Sequence, residues 1–147
     1  METSEFAIRI GSAVASGLLI GLEREYKSKS AGLKTNMLVA LGACVFVLIS
    51  LMFAGQKNTD MTRVLGQVVT GVGFLGAGAI LQRGASVKGL TTAATIWCSA
   101  GVGCLAAVGR YWELVILTIT VVLVNFLFGM LDTRIASRFK NNKEEKS

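Results

Sequence analysis

Residues 66–97, GQVVTGVGFLGAGAILQRGASVKGLTTAATIW, constrain the fold of this chain more than any other segment. Two apolar runs are dense in glycine, alanine and threonine, and a short basic stretch joins them. In lipid, apolar side chains give helices little reason to associate, so close backbone approach through small residues takes over. The segment reads as two membrane helices packed through glycine, joined by a short basic turn.

Composition points the same way. The 147 residues are 52% hydrophobic and 16% charged, against roughly 25% charged in ordinary soluble domains. A bilayer core takes roughly 20 apolar residues per helix. The hydropathy pattern predicts five spans, near 6–22, 37–54, 64–81, 90–108 and 112–131. The expected fold is all-α, a polytopic membrane helix bundle, with a membrane domain over 1–131 and a short polar cytoplasmic tail over 132–147. The last run, LVILTITVVLVNFLFGML, is rich in β-branched residues, but a lone strand would leave backbone groups unpaired in hydrocarbon. A β-barrel would alternate polar and apolar residues, which these runs do not. Glu2 and Glu5 stand where a signal peptide is basic, so the first run reads as a retained helix. Arg9, one turn inside it, either snorkels to the interface or meets a carboxylate.

Basic residues set the orientation. Arg24, Lys27, Lys29 and Lys34, then Arg83 and Lys88, then Arg134, Arg138, Lys140, Lys143 and Lys146 fall on one side. Arg9, Lys57, Arg63 and Arg110 fall on the other. Eleven against four places the N-terminus outside and the C-terminus in the cytoplasm by the positive-inside rule, with Tyr111–Trp112 in the outer aromatic belt. The formal charge of +6 then reflects topology rather than nucleic-acid binding.

Small residues indicate which helices pack. Gly17 and Gly21 form a small-xxx-small pair. In the third span Gly66, Thr70, Gly73 and Ala77 share one stripe, Gly71 and Gly78 another, and Gly76 adds to the surface; this helix is expected at the centre of the bundle. The fifth span, with few small residues, is expected at the lipid surface, its Asn125 bonding locally or across helices. Gly71-Val-Gly73-Phe-Leu-Gly76 matches a dinucleotide fingerprint, but no strand or βαβ unit precedes it. Cys44, Cys98 and Cys104 lie in apolar runs and read as small hydrophobes. Without histidine or CxxC, no metal site and no cofactor is expected.

Polar candidates gather at the basic side. Glu23-Arg24-Glu25 either closes the first helix with solvated i,i+4 pairs to Lys27 and Lys29, or Glu23 or Arg24 turns inward to form a buried polar cluster. The turn from Gln82 to Gly89 leads into Thr91 and Thr92, where a threonine can cap the fourth helix. Arg83 and Lys88 beside that positive helix end suit an anion or a lipid headgroup, or are ordinary anchors. Thr91, Thr92, Thr95 and Ser99 start a polar edge. No Asp or Glu stands mid-span, which disfavours proton or divalent-cation transport by one chain. No nucleophile sits beside a base, so no enzyme is expected.

Three segments resemble the MgtC/SapB family of bacterial membrane proteins. These are GLLIGLERE from Gly17, AGLKT from Ala31, and Arg63 through Trp97 with GQVVTGVGFLGAGAIL and KGLTTAATIW. The resemblance covers residues 11–110 and implies an inner-membrane protein of about five helices. The family's signature positions map onto Glu23, Arg24, Thr35, Arg63, Gln67, Gly73, Gly76, Gly78, Gly89, Thr91, Thr92 and Trp97. Lys34 stands where arginine is commoner. The resemblance implies a role in growth at low magnesium and in survival of some pathogens inside macrophages, with inhibition of the F-type ATP synthase as one mode of action. It also implies that many relatives carry a cytoplasmic C-terminal domain. The expected function is a non-enzymatic regulator of ion or energy homeostasis that contacts another membrane protein, an ATP synthase or a transporter. Glu23, Arg24, Arg63 and Thr91 are its expected polar contacts, and lipid and a second copy are further partners. The alternative is an oligomeric transporter or channel subunit lined by the third and fourth helices.

Overall fold

The structure is a computed structural model that describes residues 1–56 and 60–144, with side chains except those of Met61, Arg83 and 130–144. Five helices follow one another: α1 (Thr3–Tyr26), α2 (Leu33–Met52), α3 (Met61–Ala79), α4 (Leu90–Ala107) and α5 (Tyr111–Glu144). Between α3 and α4 lies a two-stranded antiparallel hairpin, β1 (Leu81–Arg83) and β2 (Ser86–Lys88). Among the described residues, four helices are long and apolar enough to cross a membrane: α1, α2, α4 and the Tyr111–Gly129 part of α5. The chain is a membrane helix bundle. α3, with 19 residues, is less apolar because Arg63, Gln67 and its glycines dilute it.

Spacing along each helix explains its place. On α1 the buried positions are Ala13, Ser16, Gly17, Ile20, Gly21, Glu23 and Arg24; apart from Glu23 they follow the i, i+3, i+4 rhythm of one helical face. On α2 the stripe begins at Asn36 and runs through Ala40, Ala43, Cys44 and Val47. α5 buries Leu114, Thr118 and Val121 and turns its other large residues outward, as expected for a lipid-facing helix.

The expectation of a central third helix is corrected. α4 holds that place, with half of its span buried against 22% of α5's, and it packs on every other helix through Thr95, Ser99, Ala100, Gly103 and Ala106. α3 touches only α2 and α4 to any extent. A Cβ on Gly66, Gly71, Gly73 or Gly78 would meet nothing within 4 Å, and only Gly76 faces a neighbour, Ala93. Helical spacing shows which small residues share a face, but not whether that face meets its own chain. The tightest contacts lie elsewhere. A Cβ on Gly103 would stand 2.1 Å from the Ala40 carbonyl oxygen, one on Gly17 2.7 Å from that of Asn36, and one on Gly21 2.7 Å from Leu33 Cα.

Three local features also differ from expectation. The basic turn is a hairpin whose two-residue loop places Gly84 at φ 58°, as primed hairpin turns require. No threonine caps α4; Gly89 occupies the cap position at φ 92°, and a Cβ there would lie 2.0 Å from the Ala79 oxygen. The fifth helix runs past the expected end of its span near residue 131 and continues to Glu144. The basic residues counted for orientation at Lys57, at Lys146 and on the side chains of Arg83, Arg134, Arg138, Lys140 and Lys143 lie outside the described residues.

Packing makes opposite forecasts for two glycines. Gly103→Ala should destabilise the protein by about 1–3 kcal/mol through overpacking against backbone, whereas Gly73→Ala should leave it near wild type; denaturing-detergent titration followed by circular dichroism reads both. A second forecast concerns the start of α3, where the Asp60 carboxylate accepts from Thr62 N–H at 2.9 Å and Thr62 Oγ1 at 2.6 Å. These two bonds, the side-chain one foremost, hold its pKa below the usual carboxylate value. The contribution is therefore complete above the unfolded pKa of about 3.9 and disappears as pH falls through the lower folded value. Amide exchange at Thr62 and Arg63, normalised for intrinsic rate, should accelerate on acidification in wild type; in Asp60→Ala it should be fast at every pH.

Candidate functional site

The α1 face that buries Gly17 and Gly21 carries Arg24 in with it, 3% exposed. Its Nη2 donates to Thr92 Oγ1 at 2.7 Å, and Ser30 Oγ lies 3.2 Å from the same hydroxyl. The first turn of α4 is thereby fixed to the end of α1 and the loop after it. Of the two readings of Glu23-Arg24-Glu25, the buried cluster is what the chain adopts, although one i,i+4 pair persists within it. The Glu23 side chain, 6% exposed, lies 3.0 Å from Lys27 Nζ. Neither Glu23 oxygen has a partner in hydrogen-bonding alignment, nor does Arg24 Nε, so the Glu23–Lys27 contact is a close ion pair rather than an aligned hydrogen bond. Lys27 donates to the Asn125 and Phe126 carbonyls, each at 3.0 Å, and lies 4.7 Å from the Phe126 ring centre. It fastens α1 to α5. Glu25 does not pair with Lys29; its carboxylate accepts from Leu33 N–H at 3.3 Å, at the start of α2.

Two more polar contacts lie deeper. Asn36, fully buried, donates to the carbonyls of Ala31 at 2.6 Å and Gly32 at 2.8 Å, and accepts from Ser99 Oγ at 2.8 Å. Thr95 Oγ1 and the Asn125 amide meet across α4 and α5 at 3.3–3.4 Å, so Asn125 bonds across helices. The polar edge of α4 is thus used inside the bundle, helix by helix. Asn36 is the residue that sequence reasoning missed; its signal was a lone amide four residues ahead of Ala40 on the small-residue face of α2. At the other end Arg9 resolves to a carboxylate partner, Glu5, and also donates to the Ala107 carbonyl.

The remaining candidates fall in separate places. Thr35 and Gln67 lie on the walls of a groove of about 560 Å³ between α2 and α3, where Gly42 and Gly71 leave bare backbone opposite one another. Arg63 is exposed in the first turn of α3, Thr91 is exposed beside buried Thr92, and Lys88 is exposed on β2. The backbone of Arg83 ends β1.

The sequence carrying this arrangement matches a family model described as the MgtC family over residues 10–134. The chain belongs to the MgtC family. Protein MgtC of Brucella abortus is 46% identical over 122 residues, covering 83% of this chain and 50% of that protein. Protein MgtC of Salmonella typhimurium is 42% identical over 130 residues, 88% of this chain and 55% of that protein. An uncharacterised protein of Synechocystis is 42% identical over 133 residues, 90% of this chain and 56% of that protein. The chain spans about half the length of the curated relatives it matches. No solved structure matches it. This MgtC-family chain is a multi-pass membrane protein.

The Asn36–Ser99 bond yields a test of the deeper contacts. Asn36→Leu should cost about 1–3 kcal/mol, since it strands buried hydrogen-bonding groups. Ser99→Ala should cost near 0.6 kcal/mol, the usual worth of such a bond between membrane helices. A double-mutant cycle with both substitutions, read by denaturing-detergent titration, should return a nonzero coupling.

Proposed function

We propose that this chain is a non-enzymatic inner-membrane protein that acts by seating α3 against a helix of another membrane protein. Through that contact it adjusts ion or energy homeostasis, in the manner expected for the MgtC type under magnesium limitation. An F-type ATP synthase or an ion transporter is the class of partner. The observation that carries this reading is the outward glycine surface of α3. Gly66 and Gly73 on one stripe, and Gly71 and Gly78 on another, face open space within the chain, and Phe74 and Leu75 on the same helix are exposed. Bare helical backbone flanked by large apolar side chains suits close approach by a second helix. Glu23 and Arg24 are enclosed by their own chain, so they support the fold behind this surface, and Arg63 and Thr91 remain for polar contact.

The alternative, a transporter or channel subunit, needs hydroxyls free to line a path. Thr92, Thr95 and Ser99 are hydrogen-bonded within the bundle, which favours the regulator. The basic end, with Arg24, Lys27, Lys34 and Lys88, is assigned to the cytoplasm by the positive-inside rule.

Gly73→Leu separates fold from contact. The substituted protein should remain helical and monodisperse in mild detergent, yet recover at least about tenfold less partner in affinity purification from membranes, as expected for a blocked interface centre. Loss of folding would show instead that α3 packs inside the chain. Liposomes containing the purified protein should pass no ions; flux abolished by Glu23→Ala would replace this reading with the transporter.

A further inference from the structure

A guanidinium has five N–H donors and almost always pairs with a carboxylate or phosphate when withdrawn from water. Arg24 departs from that pattern. It is 3% exposed, yet among the described residues no carboxylate lies within 4.0 Å of it. One bond, to the Thr92 hydroxyl, is its hydrogen bond to a side chain, and its Nε is buried without an acceptor. Of the acids next to it in sequence, Glu25 accepts from the Leu33 amide, while Glu23 pairs with Lys27 and its charge also reaches Arg24, its buried oxygens having no aligned hydrogen bond.

What surrounds the guanidinium is rich in donors. Thr92 lies in the first turn of α4, an 18-residue helix whose start carries no side-chain cap. Its first i to i−4 bond is Ala93 N–H to Gly89 oxygen at 2.9 Å, so the amides of Leu90, Thr91 and Thr92 precede the helical ladder at the positive end of the dipole. Ser30 adds a second hydroxyl, 3.2 Å from that of Thr92. Ser30 and Thr91 are exposed while Arg24 and Thr92 are buried, so the cluster runs from the surface to a buried charge. Lys29 and Lys88 flank it in sequence and add positive field.

We propose that Arg24, Ser30 and Thr92, with the open start of α4, hold a phosphate-type oxyanion at this end of the bundle. A guanidinium fork, two hydroxyls and helix-terminal amides offer more donors than a planar carboxylate can use, which suits a tetrahedral anion with several oxygens. The same chemistry is offered by inorganic phosphate and by the phosphodiester of an anionic lipid. The site stands apart from the α3 surface, and neither proposal needs the other.

The test uses the whole chain with two probes. Inorganic phosphate is titrated calorimetrically into protein in neutral detergent. Separately, native mass spectrometry follows protein released from nanodiscs of mixed phosphatidylglycerol and phosphatidylcholine. Saturable phosphate binding identifies a soluble anion; selective retention of phosphatidylglycerol without phosphate binding identifies a headgroup. In either case Arg24→Lys, which keeps the charge and loses the fork, should weaken binding about tenfold. Ser30→Ala with Thr92→Val should weaken it at least threefold, and Lys88→Ala should change it less than twofold. Should Arg24→Lys fail to fold, Ser30→Ala alone, at an exposed hydroxyl, decides by the same measure with a twofold loss expected. Absence of saturable binding by both probes overturns the proposal. So does binding indifferent to these hydroxyls, or a loss in Lys88→Ala as large as that in Arg24→Lys.

Discussion

Backbone contact between helices is the constraint on which the bundle depends. A lipid-dissolved helix gains nothing by moving leucine from acyl chains to another helix, so dispersion between closely fitted surfaces must hold the fold. Gly103 lies against the Ala40 carbonyl, Gly17 against Asn36, and Gly21 against Leu33. These three contacts bring α1, α2 and α4 to within backbone distance. Once they are that close, short side chains such as Ser99, Thr92 and Asn36 can reach one another. The hydrogen bonds follow from the glycines, not the reverse. Longer residues at 17, 21 or 103 would separate the very groups that the polar contacts join.

The polar contacts give that packing its register. Each joins α4, or α1, to a different neighbour: Arg24 to Thr92, Asn36 to Ser99, Asn125 to Thr95, and Lys27 to the carbonyls of α5. A helix can slide along apolar neighbours at little cost. It cannot slide by one turn without abandoning such bonds in a medium that offers no substitute. Four such attachments around α4 and α1 leave α3 as the helix with the fewest, since its threonine at 70 bonds only to its own Gly66 carbonyl.

Much of this was legible in the sequence, and the gaps have physical causes. Helix number, the all-α class, the outward-facing fifth helix and the Gly17–Gly21 contact follow from hydropathy and from residue size; that α3 is less apolar than the other four follows from Arg63, Gln67 and its glycines. The inward turn of Arg24 was also present in the spacing, because 13, 16, 17, 20, 21 and 24 continue one face; ending the first span near 22 hid it. The central position of α4 was not legible. Both α3 and α4 are rich in small residues, and periodicity cannot say which of two smooth helices lies between the others. The hairpin was hidden for a similar reason: three residues on each side of Gly84-Ala85 carry too little pattern to stand out from a loop. Gly89 reads as the end of the basic turn, and its φ of 92° shows it to be the residue that opens α4.

The contrast between the two glycine sets carries the functional argument further than either set alone. Glycine in a helix loses about 1 kcal/mol relative to alanine in water, and the penalty has the same conformational origin in lipid. At 17, 21 and 103 that loss is offset by contacts only glycine permits. At 66, 71, 73 and 78 no contact within the chain offsets it, and alanine would fit each position without touching a neighbour. α3 holds four such residues on two stripes, one of which, through Gly71, borders the groove shared with Gly42 of α2. Under the proposed function, the compensating contact comes from outside the chain. Among the described residues α3 has the fewest side-chain attachments to the other helices, so in that proposal a partner would seat on the helix least tied to the α1, α2 and α4 contacts that hold the fold.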